Sequence, residues 1–247
     1  TNELKSKIDK KTIIVNLCHI TSNIGNENSA QEVGKIIKSI NPSIIYSIDA
    51  CQSIGHINVN VKKFKCDVLI GSGRKFLRGP RGTGFIFLSK MKNSLIVPQI
   101  IDSHNSSFNS KISVKPNHIF ENFEYSPALK IGLSESIKRI NDIGIIKIEK
   151  DIKLKSTYFR DKLRKRLDFY FHENKDKISG INTLSIKNHS PKKIYKFLLR
   201  KKILTSVVEK KNYFFNKNKK SDALRISFHY YNTYKQIDYL IKCISRI

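Results

Sequence analysis

The sequence has no tryptophan, a single methionine (Met91) and no Cys-x-x-Cys pair. Its four cysteines, Cys18, Cys51, Cys66 and Cys243, lie far apart. That spacing excludes the usual zinc–cysteine patterns and a dense disulfide framework, and fits reduced thiols in a cytoplasmic protein. No apolar run approaches the roughly 20 residues of a membrane-spanning helix, so no membrane partner is expected. The opening Thr1-Asn2-Glu3-Leu4-Lys5 lacks the apolar stretch of a secretory signal, and its non-Met start suggests a chain beginning inside a longer one. Acidic residues are scarce too, 20 against 47 basic ones, for a net charge of +27. Such an excess invites a nucleic-acid partner. However, it is carried by 37 Lys against 10 Arg, beside much Ile and Asn, a bias that A/T-rich codons produce by themselves. The densest clusters, Lys162 to Arg166 and Lys217 to Lys220, also lack the interleaved aromatics of a base-stacking surface. A nucleic-acid role is therefore not expected.

What is present is an alternation of strand and helix signals. Thr12 to Leu17 reads as a buried parallel strand. Ser29-Ala30-Gln31-Glu32 reads as a capping box opening a helix with Val33, Ile36, Ile37 and Ile40 on its apolar face. Further strands are expected at Ile44 to Ile48, Asp67 to Ile70 and Gly84 to Leu88, a pattern of the α/β class. Ser126-Pro127 opens a helix that runs to Gly144, and a second follows from Ile148 to Leu167. Beyond it come strands at Asn182 to Ile186, Leu204 to Val208 and Ala223 to Ser227. Helices open at Ser190-Pro191 and Thr233, the last with the face Ile237, Leu240, Ile241 and Ile244. Lys210 to Ser221 reads as a mobile loop. Two domains are expected: 1–145, part of a large mostly parallel-sheet domain, and 146–247, a small α+β domain.

The chemistry-bearing stretch runs from Ser47-Ile-Asp49-Ala-Cys-Gln52 through Gly71-Ser72-Gly73-Arg74-Lys75 to Gly79-Pro80-Arg81-Gly82-Thr83-Gly84. Asp49 stands at the C-terminal end of a strand, where open α/β sheets place ligands. Lys75 follows another strand in a Gly/Ser-rich loop, so both could face one crevice. A lysine that forms a Schiff base must react as its neutral amine, which burial or the nearby Arg74, Arg78 and Arg81 would favour. A carboxylate opposite it could hold a pyridine nitrogen protonated. Alone, each residue has a plainer reading: Asp49 a strand-end cap, Lys75 one lysine among many, Arg225 a surface charge.

The order Asp-x-x-Gln, Ser-x-Arg-Lys, Gly-Pro-x-Gly-x-Gly resembles the class V aminotransferase family of pyridoxal-phosphate (PLP) enzymes. That family includes cysteine desulfurases, selenocysteine lyases, isopenicillin N epimerases and ergothioneine-forming carbon–sulfur lyases. The resemblance implies a fold-type I PLP-dependent transferase and pyridoxal 5'-phosphate as cofactor. It implies that Asp49 pairs with the pyridinium nitrogen and Gln52 with the ring hydroxyl. Ser72 and Arg74 would hold the phosphate, and Lys75 would form the Schiff base. Many relatives have His where Arg74 stands, but a guanidinium also suits a phosphate. His19-Ile-Thr-Ser-Asn23-Ile-Gly25 resembles a family turn whose Asn lies near the ring or substrate. Leu224-Arg225-Ile-Ser227, with Tyr231-Asn232-Thr233 beyond, resembles the segment whose Arg binds the substrate α-carboxylate. Ser126 falls where relatives reach the phosphate of a partner subunit, and a homodimer is implied.

The expected activity is therefore PLP-dependent chemistry at the α-carbon of a small-molecule amino acid, of lyase, transaminase or epimerase type. Neither the amino acid nor the type is fixed by the sequence. Relatives that take sulfur onto the protein carry a Cys some residues before the substrate Arg; Val208 to Phe215 contains none, so no protein persulfide is expected. Nothing in Thr1 to Leu17 resembles the family's upstream phosphate turn or ring-stacking residue. The chain is accordingly expected to be the C-terminal part of the enzyme, poorly soluble and weak in PLP binding alone. A non-catalytic remnant of the fold and a basic nucleic-acid-binding protein are the alternatives.

Overall fold

The computed structural model describes residues 2–89, 98–109, 111–115, 118–164, 168–212 and 222–247. They form two compact units. The first comprises Thr1–Leu17, Ser29–Cys51 and Val59–Arg139, the second Cys18–Asn28, Gln52–Asn58 and Ile140–Ile247. The second unit thus takes in two short segments from the first half of the sequence.

The first unit contains α1 (Asn2–Lys7), most of β1 (Ile14–Cys18), α2 (Ala30–Ile40), β2 (Ile45–Asp49), α3 (Val61–Phe64), β3 (Val68–Ser72) and β4 (Gly84–Leu88). A hairpin follows, β5 (Ser106–Asn109) with β6 (Lys111–Val114), and then the long helix α4 (Pro127–Ile143), whose end passes into the second unit. The sheet order is β1-β2-β3-β4. β2 and β3 are parallel, with Asp49 opposite Ile70, and β4 returns antiparallel with Gly84 opposite Ser72. Parallel strands bridged by a helical connection meet the α/β expectation. The core lies on β2, whose Tyr46 and Ile48 are fully buried. The Asp67 carboxylate fixes this region from below: it accepts a hydrogen bond from Tyr46 N at 2.8 Å and pairs with Lys38 at 2.6 Å.

Three local expectations are corrected. β1 is not buried, because it is the outer strand of this sheet and leaves Ile13 and Ile14 exposed. Ser29 is the N-cap of α2, but its side chain makes no capping bond; its ψ of 72° departs from the extended backbone that capping geometry requires. The buried face of α2 is Ala30, Gly34 and Ile37, with Ile40 exposed. Gly34 sets that rotation: a Cβ there would stand 2.0 Å from the carbonyl oxygen of Phe64.

The second unit contains α5 (Ile145–Arg164), β7 (Phe169–Phe171), β8 (Ile181–Ile186), α6 (Pro191–Arg200), β9 (Ser206–Val208), β10 (Ala223–Ser227) and α7 (Tyr234–Ile244). Gly144, at φ 90°, separates α4 from α5. The sheet is antiparallel in the order β7-β8-β10-β9. Its core gathers Phe159 and Leu163 of α5, Leu184, Leu198, Leu224, Ile226 and the Ile237–Leu240–Ile244 face of α7. Burial of each such side chain contributes about 1.5–3 kcal/mol. Thr233 and Gln236 close the expected capping box on α7. Of the expected loop, Lys210–Asn212 is a short 3-10 turn and residues 213–221 lie outside the described ones. No helix among the described residues is long and apolar enough to cross a membrane.

Candidate active site

In the first unit the candidates sit where β2 and β3, running side by side, reach their C-terminal ends. Ala50 N donates to Ile70 O at 2.9 Å, extending the ladder one step past Asp49. The Asp49 carboxylate then accepts from Cys51 N at 2.9 Å, an Asx turn that fixes it at the strand end. Ser72 is the last residue of β3, so the loop bearing Arg74 and Lys75 begins at the same edge.

That loop is closed on itself. Gly73 N donates to Thr83 O at 2.9 Å, Gly79 N to Gly73 O at 2.7 Å, and Arg78 N to Lys75 O at 2.9 Å. Thr83 Oγ1 donates to Pro80 O at 2.7 Å. Two glycines let the strands of the loop touch: a Cβ on Gly73 would stand 2.1 Å from Thr83 Oγ1, and one on Gly79 3.0 Å from Gly73 O. Leu133 of α4 lies against both. Phe76 and Leu77 are buried as anchors, Lys75 is half-buried, and Arg74, Arg78 and Arg81 are exposed. A carboxylate, a hydroxyl, an amine and several guanidinium groups therefore share one end of a parallel strand pair, the position at which such sheets bind ligands. On α4, Ser126 accepts from Lys130 N through its carbonyl oxygen at 3.3 Å, so its main chain caps the helix.

The second unit holds Gln52, Asn23 and Arg225. Gln52 is buried, and its carbonyl oxygen lies 3.0 Å from His56 Nδ1. The other ring nitrogen of His56, Nε2, accepts from Gly180 N at 2.7 Å. The neutral ring therefore carries its proton on Nδ1 and donates it to Gln52 O. Complete burial pushes this histidine down to about 3, so His56 is a structural tie between residues 52–58 and the start of β8. His19 is held down to about 4 by burial as well.

Asn23 and Arg225 meet through Thr183 of β8. Thr183 Oγ1 donates to Asn23 O at 2.7 Å, and Thr183 is the cross-strand partner of Arg225 on β10. Gly25 permits this approach: at φ 77° it would place a Cβ 2.3 Å from Ile181 O. The Arg225 Nε is buried with no hydrogen-bond partner among the described residues, and burial lowers the pKa of its guanidinium. A half-buried cation with an unsatisfied donor is suited to receiving an anion. Close by, His229 stacks on Tyr231 with ring centroids 4.4 Å apart and accepts from Tyr230 N through Nδ1.

Behind Thr183 lies a buried network that sequence reasoning missed. Arg160 Nε donates to Asn182 Oδ1 at 2.7 Å, and its Nη2 stands 3.0 Å from Glu173 Oε2. That last contact is a buried ion pair. Glu173 accepts from Thr183 N through its other oxygen. Burial raises Glu173 to about 7, with Arg160 opposing the shift. The available signal was Asn182-Thr183, two adjacent polar residues inside a buried strand.

The comparisons with known proteins agree with one another. The Aminotransferase class-V family model matches residues 1–240. A probable cysteine desulfurase of Borreliella burgdorferi is 31% identical over 99% of this chain and 60% of its own length. One of Pyrococcus abyssi is 30% identical over 91% of this chain and 57% of its own. The chain thus spans about 60% of the length of these relatives. Among solved structures, the apo cysteine desulfurase of Thermococcus onnurineus superposes with a TM-score of 0.89 at 24% identity, over 99% of this chain and 62% of that one. A C-DES variant with glycine covalently linked to its PLP cofactor gives a TM-score of 0.85 at 16% identity, over 97% of this chain and 62% of that one.

Proposed function

The chain belongs to the class V aminotransferase family of PLP-dependent enzymes, with the fold-type I architecture, and from that premise we propose that it takes part in PLP-dependent chemistry at the α-carbon of an amino acid. The observation that carries this reading is the shared strand end: Asp49 and the Lys75 loop leave adjacent parallel strands at the same edge. The donor set there fits the cofactor. A carboxylate suits a pyridinium nitrogen, a hydroxyl and a guanidinium suit a phosphate, and an amine suits an aldehyde.

In this reading Lys75 would hold PLP, and its Nζ would accept the α-proton of the substrate. Asp49 keeps a proton on the ring nitrogen. Ser72 and Arg74 would hold the phosphate, and the family resemblance assigns Gln52 to the ring hydroxyl and Asn23 to the ring hydroxyl or substrate. Arg225 receives the α-carboxylate, to which its unsatisfied Nε is suited. PLP, when bound, supplies an electron sink for the pair released at the α-carbon. We propose residues 1–145 as part of the cofactor-binding domain and 146–247 as the small domain. The setting proposed is a cytoplasmic homodimer. The exposed Phe108, Ile112, Phe120 and Phe123 accord with a subunit contact.

Cysteine is the substrate that the relatives' names bring to this chain. Sulfur would then leave without transfer to a protein thiol, because residues 208 to 222 contain no cysteine. Cys66 offers no substitute, being buried with its thiol pushed up to about 11. The test is Lys75→Ala beside the unaltered protein, both loaded with PLP and assayed with cysteine. Retained turnover in the variant would defeat the proposal. Loss of turnover with unchanged circular dichroism is expected, since Lys75 is only half-buried and its loop bond is made by main-chain atoms.

A further inference from the structure

Beyond the PLP site, the first unit brings together three side chains that nothing in the proposed chemistry uses. His104 precedes the β5–β6 hairpin, and His118 and Glu121 follow it. His118 Nδ1 stands 2.7 Å from Glu121 Oε2, and His104 Nε2 stands 3.2 Å from the same oxygen. The two imidazoles pack edge to face with centroids 5.0 Å apart. One ligand atom from each of the three residues lies within 4.8 Å of the others.

We propose that His104, His118 and Glu121 form a divalent transition-metal site of the zinc type that ties the two ends of the β5–β6 hairpin together. Two imidazole nitrogens and one carboxylate oxygen make up a donor set suited to zinc, with a further position left for water. Bonds of about 2.0–2.1 Å at tetrahedral angles separate ligand atoms by roughly 3.4 Å. The two contacts to Glu121 are already slightly shorter than that, so binding needs only a modest turn of the side chains.

The surroundings hold the ligands in place. His104 N donates to Asp102 Oδ1 at 2.8 Å, and the same carboxylate group accepts from Asn105 N and Phe123 N. Lys115 Nζ donates to His104 O at 3.0 Å, His118 N donates to Lys115 O, and Glu121 N to His118 O. The fully buried Asn105 braces the same turn, donating to Ile100 O and accepting from Asp102 N. Such supporting contacts orient metal ligands and tune their affinity. Two neighbouring ammonium groups oppose a cation: Lys115 on the His104 carbonyl, and Lys130, whose Nζ lies 4.0 Å from Glu121 Oε1, over the Tyr125 ring. That opposition gives a variant of opposite sign.

The experiment is calorimetric titration of the PLP-loaded protein with zinc, after chelator treatment, beside four variants. One equivalent of zinc is expected. Glu121→Gln keeps the shape and a neutral acceptor but removes the ligating charge, and His118→Ala removes a nitrogen. Each should weaken binding by roughly 100-fold or more, beyond what loss of a supporting contact costs. Lys130→Ala should tighten binding, and His189→Ala, at an exposed histidine elsewhere, should leave it unchanged. No zinc uptake by the unaltered protein, or wild-type uptake by either Glu121→Gln or His118→Ala, would overturn the site.

Discussion

The Lys75 loop of the first unit and the β8–β10 pair of the second both carry candidate residues, yet they are held by opposite means. Residues 72 to 83 are fixed by main-chain hydrogen bonds and by glycines that let one side of the loop touch the other. Thr183 and Arg225 are instead placed by a sheet ladder and by a buried polar network of Arg160, Glu173 and Asn182. A loop of the first kind tolerates changes at its functional side chains, since these carry little of its structure. A site of the second kind couples its candidate residues to the stability of the whole unit.

That contrast can be broken most forcefully at Glu173. Glu173→Ala leaves the Arg160 guanidinium buried without its counter-charge and should cost roughly 3–5 kcal/mol, read as the shift in urea midpoint. Next come the glycines. Gly25→Ala meets a backbone oxygen at 2.3 Å with φ at 77°, and it should cost roughly 2–4 kcal/mol. Gly73→Ala meets the Thr83 hydroxyl and a Leu133 methyl, both able to shift, so a smaller loss of roughly 1–3 kcal/mol is expected. Its main effect should be on retention of PLP through gel filtration. Equal urea midpoints for the two alanine variants would erase the distinction.

Arg225→Ala should raise KM for amino acids by roughly 10- to 150-fold, the equivalent of 1.5–3 kcal/mol for a charge-assisted contact. PLP affinity should stay the same. Equal losses of cofactor and substrate affinity would remove Arg225 from the carboxylate role.

The smallest effect is on pH dependence. His19 and His56 sit below the ordinary histidine value of 6.5 in the folded chain. The unfolded chain therefore takes up their protons first, and stability falls as pH drops below that value. Glu173 acts in the other sense: raised from 4.5 to about 7, it gives stability at low pH that is lost as pH rises through that window. From pH 7 to pH 5 the two histidines therefore act against stability and Glu173 in its favour. In His56→Ala, denaturation curves at the two pH values should lie closer together than in the unaltered protein.

The same difference explains what could be read in the sequence. Glycine spacing, strand ends and the run from Asp49 to Gly84 are local signals, and the strand and helix expectations around them match within a few residues. In the second unit the strands β8 and β10 were legible, and so was the cap of α7 in Thr233 and Gln236. What escaped was non-local. Gly34 turns α2 through a contact with Phe64, thirty positions away. Gly25 and His56 join the second unit through bonds to residues 179 and 180. The β5–β6 hairpin was not expected, although Lys111-Ile112-Ser113-Val114 alternates polar and apolar residues; its strands are only four residues long. The metal-type cluster depends on that hairpin bringing His104 back to His118.

The central claim, that Lys75 is the residue to which PLP is attached, is tested most directly by borohydride reduction of the PLP-loaded protein and mapping of the pyridoxylated peptide. The label is expected on the peptide containing Gly73-Arg74-Lys75-Phe76 and on no other. A label on a different lysine, with Lys75 unmodified, would contradict the account.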